Sequence, residues 1–100
     1  MVYPVLRVDY SAIDDILKRW SEIRRIPMQT EYKEVEVRSF DFFGTDGLRY
    51  QLWVDPPDEA GKVSIHVWDH KKRRFDVTAG VSELFEKLDE TLNSIGAILV

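Results

Sequence analysis

Cysteine is absent from this chain. That absence excludes disulfides, cysteine-ligated zinc and thiol nucleophiles. It suits a reducing compartment, and we expect a cytoplasmic protein. No apolar run approaches the roughly 18 residues that a membrane span needs. The first ten residues, MVYPVLRVDY, lack a basic region followed by an apolar run, so we expect no signal peptide.

An excess of basic residues is also lacking. Lysine and arginine number 14 against 18 aspartates and glutamates, for a net charge of −4. This balance disfavours nonspecific attraction to phosphate backbones and to anionic membranes. The 100 residues are 44% hydrophobic, show no internal repeat, and predict one domain over residues 1–100.

Two segments have the apolar spacing of amphipathic helices. The first is predicted to end near Arg25, because Pro27 disfavours helical geometry at the residue before it. The second closes the chain, with Gly96 at its C-terminal cap. The apolar stripe of the first helix consists of Ile13, Ile16, Leu17, Trp20 and Ile23, and that of the second of Val81, Leu84, Phe85, Leu88, Leu92 and Ile95.

Four segments between the helices alternate apolar and polar residues, as half-buried strands do. Their short connections require antiparallel neighbours. The sequence therefore predicts an α+β fold in the order α-β-β-β-β-α, a four-stranded antiparallel meander with both helices on one face and the opposite face open. The inward residues are Val35 and Val37 in the first strand (about 32–43), Leu48, Tyr50, Leu52 and Val54 in the second, Val63, Ile65 and Val67 in the third, and Phe75 and Val77 in the fourth.

The first strand leaves one ambiguity. If it stays regular past Arg38, which with Glu34 and Glu36 is predicted to point outward, then Phe40 and Phe42 face solvent and Asp41 faces the core. A β-bulge near Arg38 and Ser39 reverses this arrangement. Burying two phenylalanines and exposing an aspartate costs less free energy, so we favour the bulge.

The stretch SIHVWDHKKRRFD, residues 64–76, contains both histidines of the chain. Because the core-facing residues Val67 and Phe75 are both odd-numbered, opposed residues must sum to an even number. Centring the loop on Lys71 places Val67 opposite Phe75 and Ile65 opposite Val77; a register shifted by two residues would keep the same faces but change these partners. On the outer face the register centred on Lys71 predicts Trp68 opposite Arg74 as a cation–π contact, and His66 opposite Asp76 as a cross-strand pair.

Several kinds of site are weighed against this hairpin. His66 and His70 lack further ligands for zinc, so no metal or cofactor is expected. His66 oriented by Asp76 resembles a general base, but no nucleophile elbow, phosphate loop or paired-carboxylate motif accompanies it. HKKRRF with two tryptophans suggests single-stranded nucleic acid, although acidic residues lie near the same face.

Protein recognition is the function that remains after these sites are weighed; the alternative is that the tryptophans only stiffen the sheet through cross-strand contacts. Tryptophan and arginine are the residue types most enriched in interface hot spots. We therefore predict a small non-enzymatic binding or regulatory module whose partner is another protein or a second copy of this chain. Single-stranded nucleic-acid binding on the same face, or a small enzyme using His66 and Asp76, are the alternatives. The predicted interface consists of Trp53, Trp68, Arg49, Arg74, His66 and Gln51.

Overall fold

A computed structural model describes residues 10–45, 47–69 and 74–94. The described elements form a five-stranded antiparallel sheet in the order β1-β2-β3-β4-β5, preceded and followed by a helix. The α+β prediction is confirmed, with one strand more than expected. No helix in these ranges is long and apolar enough to cross a bilayer. The elements are α1 (Asp14–Arg24), β1 (Met28–Tyr32), β2 (Val35–Phe43), β3 (Arg49–Val54), β4 (Lys62–Trp68), β5 (Arg74–Gly80), a 3₁₀ turn (Val81–Glu83) and α2 (Leu84–Ser94).

The additional strand is β1, which forms a tight hairpin with β2. Tyr32 pairs with Val35, and the two residues between them, Lys33 and Glu34, have positive φ angles of 49° and 67°. Two-residue turns of this kind match the right-handed twist of the strands, but they favour Asn-Gly or Gly-Gly. Neither signal occurs at Lys33–Glu34. The sequence therefore gave no indication of a turn there.

Replacing Lys33 and Glu34 together with Asn and Gly should raise the free energy of unfolding by about 1 kcal/mol, because both native residues hold a left-handed conformation that costs a side chain free energy. Urea denaturation monitored by tryptophan fluorescence measures this change. Glu34→Ala is the matched control, since it removes the same side chain but keeps a Cβ at the same φ. An equal gain from Glu34→Ala would show that the turn conformation is not the source.

The core lies between the two helices and one face of the sheet. The ring of Trp20 from α1 packs edge-on against Phe40 at 5.0 Å between centroids, and Phe42 stacks on Tyr50 at 5.9 Å. Phe40 and Phe42 are both buried, and Asp41 lies on the other face, so the bulge interpretation is confirmed. The fully buried residues are Ile13, Leu17, Trp20, Phe40, Leu52, Val54, Val63, Ile65, Val67, Leu84, Leu88 and Leu92.

The bulge begins one residue earlier than predicted. The register passes from Gln29–Ser39 to Glu31–Glu36, so that two β2 residues, Val37 and Arg38, lie opposite the single Thr30. A bulge bends its strand and changes where its side chains point. The bulge and the tight turn before β2 together explain why the predicted orientations of Val35 and Arg38 at this end of the strand are wrong.

Two side chains of β2 are the reverse of the prediction. Val35, predicted to face the core, is 55% exposed, and Arg38, predicted to face solvent, is only 7% exposed. The Arg38 guanidinium lies 4.3 Å from the Tyr10 ring centroid and donates to both carboxylate oxygens of Asp14, at 2.7 and 3.2 Å. It also donates to Glu36 at 2.8 Å. The carboxylates offset the cost of burying the charge, which sequence alternation does not reveal.

The ends of both helices differ in detail from the prediction. Arg25 terminates α1 with a φ of 57°, as expected from the following proline, but Ile23 in the last turn is 47% exposed. Leu48, just before β3, and Phe75, on the edge strand β5, are likewise partly exposed. The predicted cap of α2 at Gly96, and Ile95, lie outside the described residues.

Candidate functional site

The β4–β5 hairpin has the predicted register at every described pair. Val67 lies opposite Phe75 and Ile65 opposite Val77 on the core face. On the outer face Trp68 lies opposite Arg74 and His66 opposite Asp76. The loop residues 70–73, which include His70 and most of the basic run, lie outside the described residues. The even sum of opposed residue numbers, with the loop centred on Lys71, therefore predicts the outer-face neighbours correctly.

These outer-face residues line a shallow cleft of about 370 Å³, here called the aromatic cleft. Five of the six predicted interface residues line it, whereas Arg49 does not. Arg49 is exposed and donates to Asp41 at 2.9 Å. The aromatic cleft is lined by Tyr32, Gln51, Trp53, Asp55, His66, Trp68 and Arg74.

The planar side chains of the aromatic cleft are held by one another. Tyr32 packs edge-on against Trp53, with ring centroids 5.5 Å apart and an interplanar angle of 83°. The Arg74 guanidinium lies 5.5 Å from the Trp68 ring centroid, which confirms the predicted cation–π contact. The Gln51 amide donates to Asp41 at 3.1 Å. The cleft is therefore largely pre-organised.

One polar group in the cleft has no partner. The Trp53 indole nitrogen is buried and makes no hydrogen bond within the part of the chain that the structure describes. A buried donor without an acceptor costs about 1–3 kcal/mol. By contrast, the Trp20 indole nitrogen in the core donates to Asp89 at 2.9 Å. The unpaired donor is thus a feature of the cleft.

His66 is bound on both sides by carboxylates. Its Nδ1 lies 2.6 Å from Asp76 Oδ1, and its Nε2 lies 2.7 Å from Asp55 Oδ2. Ionised carboxylates accept hydrogen bonds, so both contacts are satisfied when both ring nitrogens carry a proton, which is the imidazolium form of His66. Burial lowers the pKa of His66, but the hydrogen bonds and charges of Asp76 and Asp55 outweigh it, and the pKa is raised overall. The hydrogen bond from His66 lowers the pKa of Asp76.

This geometry disfavours the enzymatic alternative. A general base needs a ring nitrogen with a free lone pair within reach of its substrate. Both nitrogens of His66 are occupied, and the cleft around them is shallow and open. Among the described residues, no group of three or more histidines, cysteines, aspartates or glutamates is arranged to hold a metal ion. The arrangement supports a structural cross-link between β4, β5 and the end of β3.

This cross-link predicts a pH-dependent stability. The folded-state pKa of His66 lies above 6.5, so its contribution is complete below about pH 6.5 and is lost as the pH rises through the folded-state value. The pKa of Asp76 is lowered from 3.8, so its contribution is present above about pH 3.8 and is lost as the pH falls through the lowered value. Wild type should therefore exceed His66→Gln in stability most between about pH 4 and 6.5.

Urea denaturation of both proteins at a series of pH values measures this difference. The effect should be modest, because Asp55 and Asp76 are about half exposed and solvent screens their charges. An NMR titration of the His66 ring gives its pKa directly. A difference between the two proteins that stays constant from pH 5 to 9 would show that the imidazolium is not what links the strands.

The sequence prediction missed two residues of the aromatic cleft. Asp55 is odd-numbered like Gln51 and Trp53 and therefore lies on the same face of the sheet. Its backbone N–H donates to the Ser64 carbonyl at 2.9 Å, which continues the pairing of β3 with β4. The alternation of the sequence puts Asp55 on the outer face, but the prediction counted it only as an acidic residue near that face and not as part of the interface. Tyr32 carried no such signal, because it reaches Trp53 only through the hairpin formed by β1 and β2.

A larger groove of about 610 Å³ lies elsewhere, beside α1 and the start of α2. The guanidinium groups of Arg19 and Arg24 each lie 5.9 Å from the Phe85 ring centroid there. Its lining is mainly apolar and brings together no set of catalytic or ligating side chains, so the aromatic cleft remains the candidate site. The groove is lined by Ile16, Arg19, Gly61, Val81, Ser82 and Phe85.

Comparison of the chain with protein-family models, with curated proteins and with solved structures finds no match. The geometry of the aromatic cleft is therefore the basis for assigning a function.

Proposed function

We propose that this protein is a small non-enzymatic binding module that recognises another protein through the aromatic cleft. The observation that carries the proposal is the grouping of Tyr32, Trp53, Trp68 and Arg74 on the sheet face that the helices leave uncovered. Tyrosine, tryptophan and arginine are the residues most enriched in interface hot spots. A face that combines them in one concavity is suited to binding a partner side chain or backbone.

The fixed geometry of the cleft supports the same function. Arg74 is held by Trp68, and His66 by Asp55 and Asp76. Side chains that are already ordered lose less conformational entropy when a partner binds. The absence of cysteine agrees with a module that acts in the cytoplasm, as we propose.

Binding of single-stranded nucleic acid is the second candidate, because exposed aromatic rings on a sheet can stack bases. The charge of the cleft opposes it. The carboxylates of Asp55 and Asp76 balance the cations His66 and Arg74, and the whole chain carries a net charge of −4. A polyanion therefore gains little from the phosphate contacts that dominate nucleic-acid affinity.

Trp68→Ala tests the proposal. The immobilised wild-type protein, this variant and Ile23→Ala are compared as baits in native lysate, and the captured proteins are quantified by mass spectrometry. Ile23 is the matched control, because it is an exposed apolar side chain on the helical side of the molecule. We expect at least one protein to lose about tenfold or more of its capture with Trp68→Ala and to be kept by Ile23→Ala.

Light scattering of the same proteins tests the form in which the partner is a second copy. A wild-type dimer that Trp68→Ala converts to monomer supports that form. If Trp68→Ala changes neither the captured proteins nor the oligomeric state, recognition through the aromatic cleft is wrong.

A further inference from the structure

We propose that the ligand of the aromatic cleft is a proline-rich segment in the polyproline II conformation. This inference depends on the proposed function, since it names the partner chemistry of the same cleft. It rests on the shape of the cleft, on the buried Trp53 indole N–H that has no acceptor among the described residues, and on the charge of the cleft.

The planar groups form a row that crosses the sheet diagonally. Tyr32 and Trp53 are 5.5 Å apart, as are Arg74 and the Trp68 ring. Trp53 pairs with His66, so Trp68, two residues further along β4, is its diagonal neighbour. Diagonal neighbours are about 7–8 Å apart, which gives the row a length of roughly 18 Å. A polyproline II helix rises about 3.1 Å per residue, so about six residues span the row.

The hydrogen-bonding groups of the cleft favour a ligand that accepts but does not donate. His66 binds one oxygen each of Asp55 and Asp76, and the Gln51 amide N–H binds Asp41. The Trp53 indole N–H is a buried donor for which the described residues supply no acceptor. Proline has a carbonyl but no N–H, and the carbonyls of a polyproline II helix make no internal hydrogen bonds. The ligand therefore supplies the acceptor that the cleft lacks and brings no donor that the cleft would leave unpaired.

The Trp53 N–H is buried, so a ligand reaches it only if a neighbouring side chain moves, and we infer that this side chain is Tyr32. Tyr32 lies edge-on against Trp53, is 50% exposed, and lies at the end of β1 beside the Lys33–Glu34 turn. It belongs to no part of the buried core cluster, so it can reorient without disturbing that core. Proline rings pack well between aromatic rings, which is how aromatic-lined grooves bind such segments.

The charge and the hydrogen bonds of the cleft disfavour three other classes of ligand: polyanions, polycations and sugars. Asp55 and Asp76 balance His66 and Arg74, so neither a polyanion nor a polycation finds an opposite field. A sugar binds through several donors and acceptors at once, whereas Gln51, Asp55, His66 and Asp76 each already spend at least one hydrogen bond within the protein. An uncharged, ring-rich peptide with free carbonyls meets these conditions.

The three tryptophan indole resonances provide the test. The ¹⁵N-labelled protein is titrated with an N-acetylated, C-amidated octaproline and, separately, with a Gly-Ser octamer. We expect octaproline to shift the Trp53 and Trp68 indole N–H signals, with half-saturation below about 1 mM. The Trp20 signal, whose N–H is bound to Asp89, should stay in place and serves as the internal control.

Two variants assign the role of the indole donor. Trp53→Phe keeps a ring but removes the N–H, and it should weaken octaproline binding about tenfold. Trp68→Phe, whose indole N–H is not among the buried donors without an acceptor, should weaken it less than about threefold. Equal effects of the two variants would contradict the role assigned to the Trp53 donor.

Failure of this inference is distinguishable from failure of the proposed function. If octaproline at 10 mM shifts neither cleft signal, or shifts them no more than the Gly-Ser octamer does, the proline-rich ligand is wrong. The same conclusion follows if a single-stranded oligonucleotide or an oligosaccharide shifts those signals and octaproline does not. Loss of a captured protein with Trp68→Ala would still support recognition of another protein through the cleft.

Discussion

Replacing Arg38 with alanine should lower the free energy of unfolding by about 3 kcal/mol, at the lower end of the 3–5 kcal/mol that breaking a buried ion pair costs. The guanidinium is 7% exposed, binds both oxygens of Asp14, and covers the Tyr10 ring. Its removal leaves a void over Tyr10 and disconnects the start of α1 from β2. Asp14 and Glu36 are partly exposed, so water rehydrates them and limits the loss. Urea denaturation measures the change.

Arg49→Ala is the matched control for this prediction. Arg49 binds Asp41 at a distance of 2.9 Å, but its side chain is 65% exposed. Exposed pairs contribute at most about 1 kcal/mol, so this variant should lose less than about 0.5 kcal/mol. Arg38→Met, which keeps an apolar stem over Tyr10, should fall between the two. Equal losses from Arg38→Ala and Arg49→Ala would mean that burial of the guanidinium does not determine its contribution.

The predictable parts of this fold are those in which local alternation and chain connection are sufficient. The β4–β5 register follows from the parity of Val67 and Phe75 and a short loop, and this fixes Trp68 against Arg74 and His66 against Asp76. The bulge followed from a single free-energy comparison at Phe40, Asp41 and Phe42. Most of the cleft was therefore accessible from the sequence, since it lies on the regular strands β3 and β4.

The unpredicted parts depend on contacts between residues far apart in the chain. Arg38 contacts Asp14 across 24 positions, and nothing in the alternation around it marks it as buried. The turn at Lys33–Glu34 uses two residues that ordinarily avoid positive φ, so the strand it creates has no turn signal. Tyr32 joins the cleft only because of that turn. The energetics of packing, and not local propensity, decide these positions.

The unpaired N–H of Trp53 belongs with these features. An indole has one donor, and whether it finds an acceptor depends on which groups the folded sheet places beside it. The sequence does not show which indole N–H finds an acceptor, yet that of Trp20 donates to Asp89 and that of Trp53 has no acceptor among the described residues. A stable domain tolerates one such cost, and such exceptions often mark a site where another molecule supplies the missing partner.

Replacing Asp89 with alanine should produce the second large effect. Its carboxylate accepts from the Trp20 indole N–H at 2.9 Å and from Arg24 Nε at 2.8 Å, so it joins α2 to α1. Trp20 is fully buried, and leaving its N–H without an acceptor costs about 1–3 kcal/mol by itself. For a domain of this size, each kcal/mol lowers the Tm by about 4–8 °C. Thermal denaturation followed by circular dichroism measures the shift.

Asp89→Asn separates the hydrogen bond from the charge. The asparagine oxygen can still accept from Trp20, so this variant should lose less stability than Asp89→Ala. Burial raises the pKa of Asp89, but the hydrogen bonds from Arg24 and Trp20 and the charge of Arg24 lower it overall. Its stabilisation is therefore present above about pH 3.8 and is lost as the pH falls through the lowered value. Asp89→Asn should lack this acid-dependent part, so wild type and variant should converge in stability as the pH falls below the lowered pKa of Asp89. If Asp89→Ala unfolds at the same temperature as wild type, the acceptor for the Trp20 N–H is not what holds the two helices together.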